Sequence, residues 1–398
     1  MLSRPRNVTI FVLLLIVVFL LFKSPSKAAP ASALQYLKTL GGTYTEISNA
    51  TLGFEQIFVI NLPERTDRRD AFTLAAALTD VAVTWIDGVA GQHVLDKTLP
   101  SDSLDKNIPK GNKGSWRAHM NALQRIVQQD IASALILEDD ADWDIRIKPQ
   151  LQIFAQAAQA FTQRRPGQAK QTFAEQLQAH GMAEHERNVN KLPYIVPPRL
   201  SPYGDDWDVL WLGHCGTEIP TESHSDPYNM LGLKVIIADD VTVPAPKHLK
   251  PHPFALQDDL AELYPPQTRV VHAARNTTCT QAYAVSQRGA RKLLWQFGLQ
   301  TFTTGWDLML GDWCDGFYSK HDPDSAGSVK QPVCVTVSPP LFSHHYGKGA
   351  ASDITAPGGG FINKGKEMTP YVRLSVRMNM EKMVNGAQLE DLVDQWED

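Results

Sequence analysis

The stretch Ala134-Leu135-Ile136-Leu137-Glu138-Asp139-Asp140 decides the fold, because an apolar run passes directly into three carboxylates. A short apolar run of this kind is typical of a strand that is buried on both faces of a sheet. In open α/β sheets, ligands bind beyond the carboxyl ends of such strands. The stretch therefore predicts a central strand with a polar site at its end.

Strand and helix patterns alternate around this stretch. Further strands are predicted at residues 56–62, 81–86, 208–213 and 282–285. Helices are predicted at residues 67–78, after a cap at Ser115 and after a cap at Ser286. The alternation predicts an α/β fold with a mainly parallel sheet that is flanked by helices.

Three regions depart from this alternation. Residues 148–205 have helical spacing amid many Gln and Ala residues and are predicted to be a helical insertion. Residues 216–270 are rich in Pro and His and are predicted to be long loops over a site. Near the end, residues 372–376 alternate like a strand, and a short amphipathic helix is expected to end near Trp396.

Composition excludes some broad classes. The chain has 398 residues, of which 43% are hydrophobic and 20% charged, so wholesale disorder is excluded. Its formal net charge is -5. Nucleic-acid binders normally carry a basic excess, so we expect no nucleic-acid partner.

The amino terminus holds an apolar run from Val8 to Phe22, with Arg4 and Arg6 before it and Lys23 after it. Its length lies between a signal-peptide core and a transmembrane helix. We predict that residues 1–23 are a cytosolic tail and a single-pass membrane anchor, that residues 24–52 are a luminal stem and that the rest is luminal. The alternative is cleavage in the Ala-rich sequence near residues 28–33, which would give a secreted protein.

Cysteines and sequons fit a luminal location. The four cysteines, Cys215, Cys279, Cys314 and Cys334, permit two disulfides in three pairings, or four buried free thiols. Asn49 and Asn276 begin acceptor sequons for N-glycosylation.

A basic cluster follows the first strand and opens a helix. It comprises Arg65, Arg68 and Arg69, with Asn61 before them. Cations oppose the helix dipole at this end, whereas an anionic ligand would reverse the argument. The cluster therefore favours a diphosphate site. The alternative is surface pairing with Glu64, Asp67 and Asp70.

The acidic run places five carboxylates within seven residues, from Glu138 to Asp144. Glu138 and Asp140 are two residues apart, so their side chains point the same way in an extended chain. Together they are predicted to hold Mn²⁺ or Mg²⁺ against a nucleotide diphosphate. The alternative is a solvated acidic turn.

An ordered set of segments gives a family resemblance. The segments are Ile57–Leu62 with Asp67–Arg69, Gly114–His119, Ala134–Asp140, Trp207–Gly213, Gln281–Arg291, Asp307 and Ser352–Ile354. In this order the chain resembles glycosyltransferase family 25, which contains lipopolysaccharide glycosyltransferases and collagen galactosyltransferases. Ser115 and Arg117 stand where the family usually has Cys and a small or apolar residue.

The resemblance implies a GT-A-type nucleotide-sugar-binding fold over residues 53–360, with residues 361–398 as an extension packing on it. It implies an inverting, metal-dependent transfer of a hexose, with galactose from a UDP-sugar as the leading choice, to a glycan or glycoprotein. The apolar run and the sequons further suggest a eukaryotic, fungal-type member that is anchored in the Golgi or ER membrane.

Roles follow from the resemblance together with residue chemistry. The donor-binding residues are expected to be Asn61, Arg65, Arg68, Arg69 and His119. The metal ligands are expected to be Glu138, Asp140 and His344, although His344 and His345 are equally compatible with a structural role. Asp307 is the first candidate for the base, with Asp312 and Asp353 behind it. Asp307 is alternatively a helix N-cap.

Two other functions remain open on the sequence. One is a luminal carbohydrate-binding or scaffold protein without catalysis. The other is a different metal-dependent nucleotide transferase.

Overall fold

The computed structural model describes residues 46–103, 107–167, 171–179, 185–220, 232–249, 259–319, 331–348, 354 and 365–397. The expected membrane anchor and most of the expected stem lie outside these residues. Within the described ranges, no helix is both long and apolar enough to span a membrane.

Nine strands of the described chain form one sheet, in the order β2-β1-β3-β9-β6-β10-β8-β7-β5. Two further strands, β4 and β11, form a separate antiparallel pair. The strands are β1 Gln56–Asn61, β2 Thr84–Asp87, β3 Ser133–Glu138, β4 Ala141–Trp143, β5 His185–Asn188, β6 Val209–Gly213, β7 Leu233–Ile237, β8 Arg269–Ala273, β9 Ala282–Ser286, β10 Cys334–Ser338 and β11 Phe342–His344.

The large sheet is mostly parallel in orientation. The pairs β1–β2, β1–β3, β6–β10 and β5–β7 are parallel. The strands β9 and β8 run antiparallel to both of their neighbours, so the other seven described strands of the sheet share one direction. The carboxyl ends of β1 and β3 therefore meet at the same edge.

The helices pack around this sheet. They are α1 Thr66–Leu78, α2 Lys110–Gln128, α3 Ile147–Thr162, α4 Phe173–Ala179, α5 Leu260–Leu263, α6 Gln287–Trp295, α7 Trp306–Cys314 and α8 Val376–Val384. Residues of α2, α6 and α7 form one apolar core with β1, β3, β6 and β9, in which Trp116, Tyr283 and Leu310 are buried. The C-terminal helix α8 packs against α1 and β4.

Most of the predicted elements near the deciding stretch are confirmed. The strands at 56–62, 208–213 and 282–285 form as β1, β6 and β9, and the helix at 67–78 forms as α1. Ser286 caps α6, because its side chain accepts a hydrogen bond from the backbone N–H of Gly289 at 3.0 Å. The strand predicted at 81–86 is shorter and forms over Thr84–Asp87.

Other predictions were wrong. The helix assigned a cap at Ser115 begins at Lys110, after Pro109, and Ser115 lies inside it. A proline directly before a helix fixes a backbone angle suited to its start. The insertion at 148–205 is not purely helical, because it also supplies the edge strand β5. Residues 216–270 are not only loops, because they contain β7 and the first two residues of β8.

The C-terminal prediction was also wrong. Instead of a strand, residues 372–376 lead into α8, which Ser375 caps by accepting a hydrogen bond from Met378 N–H at 3.1 Å. Helix α8 ends at Val384, well before Trp396. Ser favours an N-cap over a strand because its hydroxyl satisfies a free N–H at the helix start.

Two disulfides select one of the three possible pairings. Cys215 is bonded to Cys279 and Cys314 to Cys334. The alternative of free thiols is excluded, because the chain has no further cysteine. Disulfides are typical of proteins that fold in an oxidising compartment.

Candidate active site

A cleft of about 640 Å³ opens where β1 and β3 end. One wall is the loop into α1, and another is the loop after β2 with the first turns of α2. Its lining comprises Ile60, Leu62, Glu64, Arg65, Arg68, Gly88, Val89, Ala90, Gly91, Gln92, Pro109, Lys110, Gly111, Gly114, Ser115, Ala118, His119, Glu138, Asp139, Asp140 and Ile354. Its position agrees with the predicted site beyond the carboxyl end of β3.

The acidic turn at the cleft is held by the first strand and the first helix. Glu138 is the last residue of β3, and Asp139 and Asp140 form the turn into β4. Asn61 donates from Nδ2 to Asp139 Oδ2 at 2.8 Å. Arg68 Nη1 lies 2.7 Å from Asp139 Oδ1 and 2.8 Å from Asp140 Oδ2. Arg68 thus bridges the two aspartates.

The carboxylates of this turn are electrostatically distinct. Burial, together with the negative charges of Asp140 and Asp307, raises the pKa of Glu138 to about 8. Burial also raises the pKa of Asp139. For Asp140, burial opposes ionisation, but His344, Arg68 and Arg377 outweigh it and hold the pKa below its usual value. Asp140 is therefore the carboxylate that this environment keeps charged.

The two-stranded sheet brings the histidines to the turn, because His344 pairs with Ala141 across β11 and β4. His344 Nδ1 lies 3.8 Å from Asp140 Oδ2, and its ring stacks on Tyr346 with centroids 4.2 Å apart. His345 contacts Thr369 Oγ1 at 3.0 Å and Glu367 Oε1 at 2.9 Å. His344 therefore lies beside Asp140, whereas His345 bonds to the C-terminal segment.

The donor set fits a hard divalent cation that also binds phosphate. Asp140 Oδ1 is buried and has no hydrogen-bond partner among the residues that the structure describes. Such a group costs about 1–3 kcal/mol unless a ligand satisfies it. Within the described ranges, no group of three or more His, Cys, Asp and Glu side chains is arranged so that it could hold a metal ion. Mg²⁺ in nucleotide sites needs only one or two carboxylates, because the substrate phosphates supply further oxygens.

The predicted basic cluster is divided among different contacts. Arg65 and Arg68 line the cleft. Arg65 also pairs with Asp67 at 2.8 Å, which lowers the pKa of Asp67 to about 2. Arg69 lies over the ring of Trp85, 4.7 Å from its centroid. The alternative of surface pairing thus holds in part for Arg65.

His119 is buried on α2 and lines the cleft. Its Nδ1 lies 2.8 Å from the hydroxyl of Tyr283, and its ring stacks on Trp306 with centroids 5.2 Å apart. Burial lowers the pKa of His119 to about 3, so the ring is neutral at physiological pH. His119 thus connects the cleft with the helix that carries Asp307.

The three candidate bases differ in position. Asp307 lies in the first turn of α7, and its Oδ2 accepts a hydrogen bond from Cys279 N–H at 3.0 Å. It is not the N-cap, because Gly305 holds that position. Asp312 is exposed and lies about 140° around α7 from Asp307. Asp353 lies outside the described residues.

Sequence reasoning missed several supporting residues. Thr280 Oγ1 donates to Glu138 Oε1 at 2.7 Å, Tyr283 holds His119, and Arg377 Nη2 donates to the backbone oxygen of Asp139 at 2.7 Å. The sequence does not single out Thr280, because its contact with Glu138 depends on the antiparallel pairing of β9 with β3.

The two sequon asparagines differ. Asn49 is exposed, and its Oδ1 accepts from Thr51 N–H at 2.9 Å and from Gly53 N–H at 3.1 Å. Asn276 is also exposed, but its Nδ2 donates to Glu218 Oε2. Modification of Asn276 would first require that this hydrogen bond break.

A mostly parallel sheet with a cleft at the carboxyl edge of its strands is the arrangement in which open α/β proteins bind ligands. Comparison by sequence gives the family. The profile of glycosyltransferase family 25, described as an LPS biosynthesis protein family, matches residues 54–308. The chain belongs to this family, and the matched range includes Asn61, Glu138, Asp140 and Asp307.

Similar proteins include two galactosyltransferases. Procollagen galactosyltransferase 1 of Danio rerio is 30% identical over 120 residues, or 27% of this chain and 20% of that protein. Procollagen galactosyltransferase 2 of Mus musculus is 22% identical over 111 residues, or 25% and 18%. Inactive glycosyltransferase 25 family member 3 of Homo sapiens is 22% identical over 112 residues, or 25% and 19%. The matches thus span about a fifth of each relative.

Proposed function

We propose that this family 25 glycosyltransferase moves a hexose from a nucleotide sugar to a glycan or glycoprotein, with a divalent metal and with inversion. The procollagen galactosyltransferase relatives make galactose the leading sugar, and we propose UDP as its nucleotide. This extension to the donor rests on analogy. The cleft and its residues supply the physical argument.

The observation that carries the proposal is the buried Oδ1 of Asp140, beside Arg68 in the cleft, which has no hydrogen-bond partner among the described residues. A carboxylate kept charged but incompletely hydrogen-bonded is suited to a cation. Mn²⁺ or Mg²⁺ bound there would neutralise charge on a nucleotide diphosphate. Asp140 and Glu138 would hold it, and the phosphates of the donor would supply the further oxygens. His344 lies 3.8 Å from Asp140, but the three side chains as they stand do not form a set that could hold a metal without the donor.

The residues around the turn bind and orient the donor. Arg65 and Arg68 present guanidinium groups to the cleft at the start of α1. Free N–H groups at a helix start and guanidinium groups both stabilise the negative charge of a leaving diphosphate. The glycine-containing loop at 88–91 and the start of α2 supply the opposite wall, as expected for a GT-A-type nucleotide site.

Inversion needs one displacement and one base for the acceptor hydroxyl. Asp307 is our candidate, because it lies close enough to Glu138 to affect its pKa. Asp307 would accept the hydroxyl proton as the acceptor oxygen bonds to the anomeric carbon and the diphosphate leaves. Trp306 is buried and packs against His119, so it positions the turn that carries Asp307 rather than facing solvent.

We also propose that the enzyme acts in the lumen of the Golgi or ER, anchored through residues 1–23. The two disulfides and the exposed sequon at Asn49 support an oxidising compartment. A mature amino terminus near Ala29–Ala33, found by mass spectrometry, would instead give a secreted enzyme.

A second candidate is a luminal carbohydrate-binding protein without catalysis. It is favoured by the human relative that is named inactive. The two candidates make different predictions about donor turnover, because a binding protein would hold a sugar without releasing nucleotide.

The test is nucleotide release from a panel of UDP- and GDP-sugars with Mn²⁺, measured with the full chain and a mixture of glycan acceptors. We expect release from one UDP-hexose, and none from the Asp140→Asn variant. Equal release by the variant, or release without Mn²⁺ after chelation, would overturn the metal-dependent proposal. Sugar binding with no release by the parent would favour the second candidate.

A further inference from the structure

We infer that the disulfide Cys215–Cys279 and the segment that it fastens are a positioning device for both Asp307 and Glu138. The inference rests on the proposed function, in which these two carboxylates serve the acceptor and the metal. The device is one short segment, Thr278 to Gln281, whose residues form hydrogen bonds with both groups.

The first contact is between Cys279 and Asp307. The backbone N–H of Cys279 donates to Asp307 Oδ2 at 3.0 Å. Cys279 has a φ of +63°, in the left-handed region that residues other than glycine rarely adopt. A side-chain-bearing residue is strained there, so the surrounding structure must enforce this conformation. This backbone geometry directs the N–H toward Asp307.

Several bonds enforce the conformation. The sulfur of Cys279 is tied to Cys215, and its carbonyl oxygen accepts from Trp211 Nε1 at 2.9 Å. The backbone of Cys215 and Gly216 pairs with Thr278, with Cys215 N–H to Thr278 O at 2.9 Å and Thr278 N–H to Gly216 O at 3.1 Å. The disulfide joins residues 64 apart in sequence, so it keeps two distant parts of the chain in register.

The second contact is between Thr280 and Glu138. Thr280 Oγ1 donates to Glu138 Oε1 at 2.7 Å, and Glu138 N–H donates to Gln281 O at 3.1 Å. The first of these bonds fixes the side chain and the second fixes the backbone from which it projects. The same segment therefore sets the place of Glu138 at one end and of Asp307 at the other.

Loss of the disulfide removes the covalent restraint on the strained residue. Cys279 then relaxes toward an ordinary φ, and its N–H turns away from Asp307. A displacement of about 1 Å at a reacting group can cost about 10²-fold in rate. The fold itself keeps its apolar core and its second disulfide, so the effect falls mainly on the carboxylates.

The first experiment compares two double variants of the full chain. We expect Cys215→Ala with Cys279→Ala to lower kcat at least tenfold, with the acceptor KM within threefold, because Asp307 acts on the hydroxyl proton. Amide hydrogen exchange in the peptide that contains Cys279 should also become at least tenfold faster. The control is Cys314→Ala with Cys334→Ala, which removes the other disulfide. That disulfide is attached at the last residue of α7, the helix that carries Asp307. We expect this control to change kcat less than threefold.

A pair of single variants provides a test that does not depend on disulfide folding. Thr280→Val removes the hydroxyl that holds Glu138, whereas Thr280→Ser retains it. With Mn²⁺ alone as the probe, titrated calorimetrically without substrate, we expect Thr280→Val to weaken affinity at least fivefold and Thr280→Ser to restore it to within twofold of the parent.

The outcomes separate this inference from the proposed function. No transfer by the parent protein would defeat the proposed function. Transfer by the parent together with equal kcat losses in the two disulfide variants would overturn the inference, since both disulfides would then be merely structural. Unchanged Mn²⁺ affinity in Thr280→Val would overturn the part of the inference that concerns the positioning of Glu138.

Discussion

The acidic run from Glu138 to Asp144 has two halves with opposite surroundings. In the cleft half, Asp140 has a buried oxygen without a hydrogen-bond partner in the described part of the chain, and burial raises the pKa of Glu138. In the downstream half, Asp142 and Asp144 are almost fully buried and bonded to other parts of the chain. Carboxylates of one acidic run thus lie both at the candidate cleft and at a contact that holds another segment of the chain.

The downstream half fastens the C-terminal segment. Asp142 accepts hydrogen bonds from Thr369 Oγ1 at 2.6 Å, from Ser375 Oγ and from Arg377 N–H at 3.2 Å. Asp144 pairs with Arg146 at 2.7 Å and accepts from Leu374 N–H at 3.0 Å. These bonds join β4 to the start of α8.

The difference teaches how to read a run of carboxylates. A buried carboxylate whose oxygens are satisfied by the protein contributes to the fold, because removing it leaves several donors unpaired. A buried carboxylate with an unsatisfied oxygen in a cleft is available to a ligand. The comparison predicts that substitutions in the two halves separate activity from stability.

The largest effect is expected at Asp307, the candidate base for the acceptor hydroxyl, which lies outside the acidic run. Asp307→Asn should lower kcat by about 10²–10⁴-fold, because an amide does not accept the hydroxyl proton. Its oxygen can still accept from Cys279 N–H, so melting and donor affinity should stay near those of the parent.

The matched control is Asp312→Asn on the same helix, which should change kcat less than threefold. Steady-state kinetics and melting curves of both variants check this. A loss of activity confined to Asp312→Asn would transfer the role of base to that residue. Full activity in both variants would leave Asp353 as the remaining candidate.

The next effect should appear in stability. Asp142→Ala leaves the hydroxyls of Thr369 and Ser375 and the N–H of Arg377 without their acceptor. We expect a loss of about 2–4 kcal/mol in the free energy of unfolding, with kcat of the folded protein within threefold of the parent. Denaturant unfolding and kinetics below the transition measure both quantities. Loss of Mn²⁺-dependent donor binding in a folded Asp142→Ala protein would break the distinction between the halves.

The smallest effect concerns a buried carboxylate away from the run. Burial, together with the charges of Asp312 and Glu218, raises the pKa of Asp315 to about 7. A folded pKa above the unfolded one means that the fold retains the proton longer, so this group makes stability fall as pH rises from about 4 to about 7.

Asp315→Asn removes that titration. The variant should be about 1–2 kcal/mol more stable than the parent at pH 8, and the difference should shrink toward pH 4. Urea unfolding across this range measures it. A difference that is constant with pH would show that Asp315 does not titrate in this way.

Apolar patterning was sufficient to predict β1, β3, β6 and β9, because these strands are almost wholly apolar and buried. The strands β7 and β8 escaped notice because each carries a buried charged residue. Lys234 lies 3.2 Å from Glu186, and Arg269 lies 2.7 Å from Asp240. Sequence patterns do not show such pairs, because the partner that makes burial tolerable is contributed by another segment.

The residues of the candidate site also divide into those that local sequence patterns predict and those that depend on a distant segment. The positions of Glu138 and Asp140 were predictable because they lie at the end of β3 and just beyond it, and that of Arg68 because it lies in the first turn of the helix after β1. Thr280 and Arg377 were not, because they reach the acidic turn across 142 and 238 residues of chain. Only the folded sheet and the packing of α8 bring them there.

The central claim is that the cleft half of the acidic run binds the donor through a divalent cation. The most direct test is thermal stabilisation of the parent and of Asp140→Asn by UDP with Mn²⁺. We predict that UDP and Mn²⁺ together raise the melting temperature of the parent, and that neither ligand alone raises it as far. The melting temperature of Asp140→Asn should equal that of the unliganded parent, both with and without the two ligands. Equal stabilisation of Asp140→Asn by UDP with Mn²⁺ would contradict the account and would leave the acidic run with a structural role only.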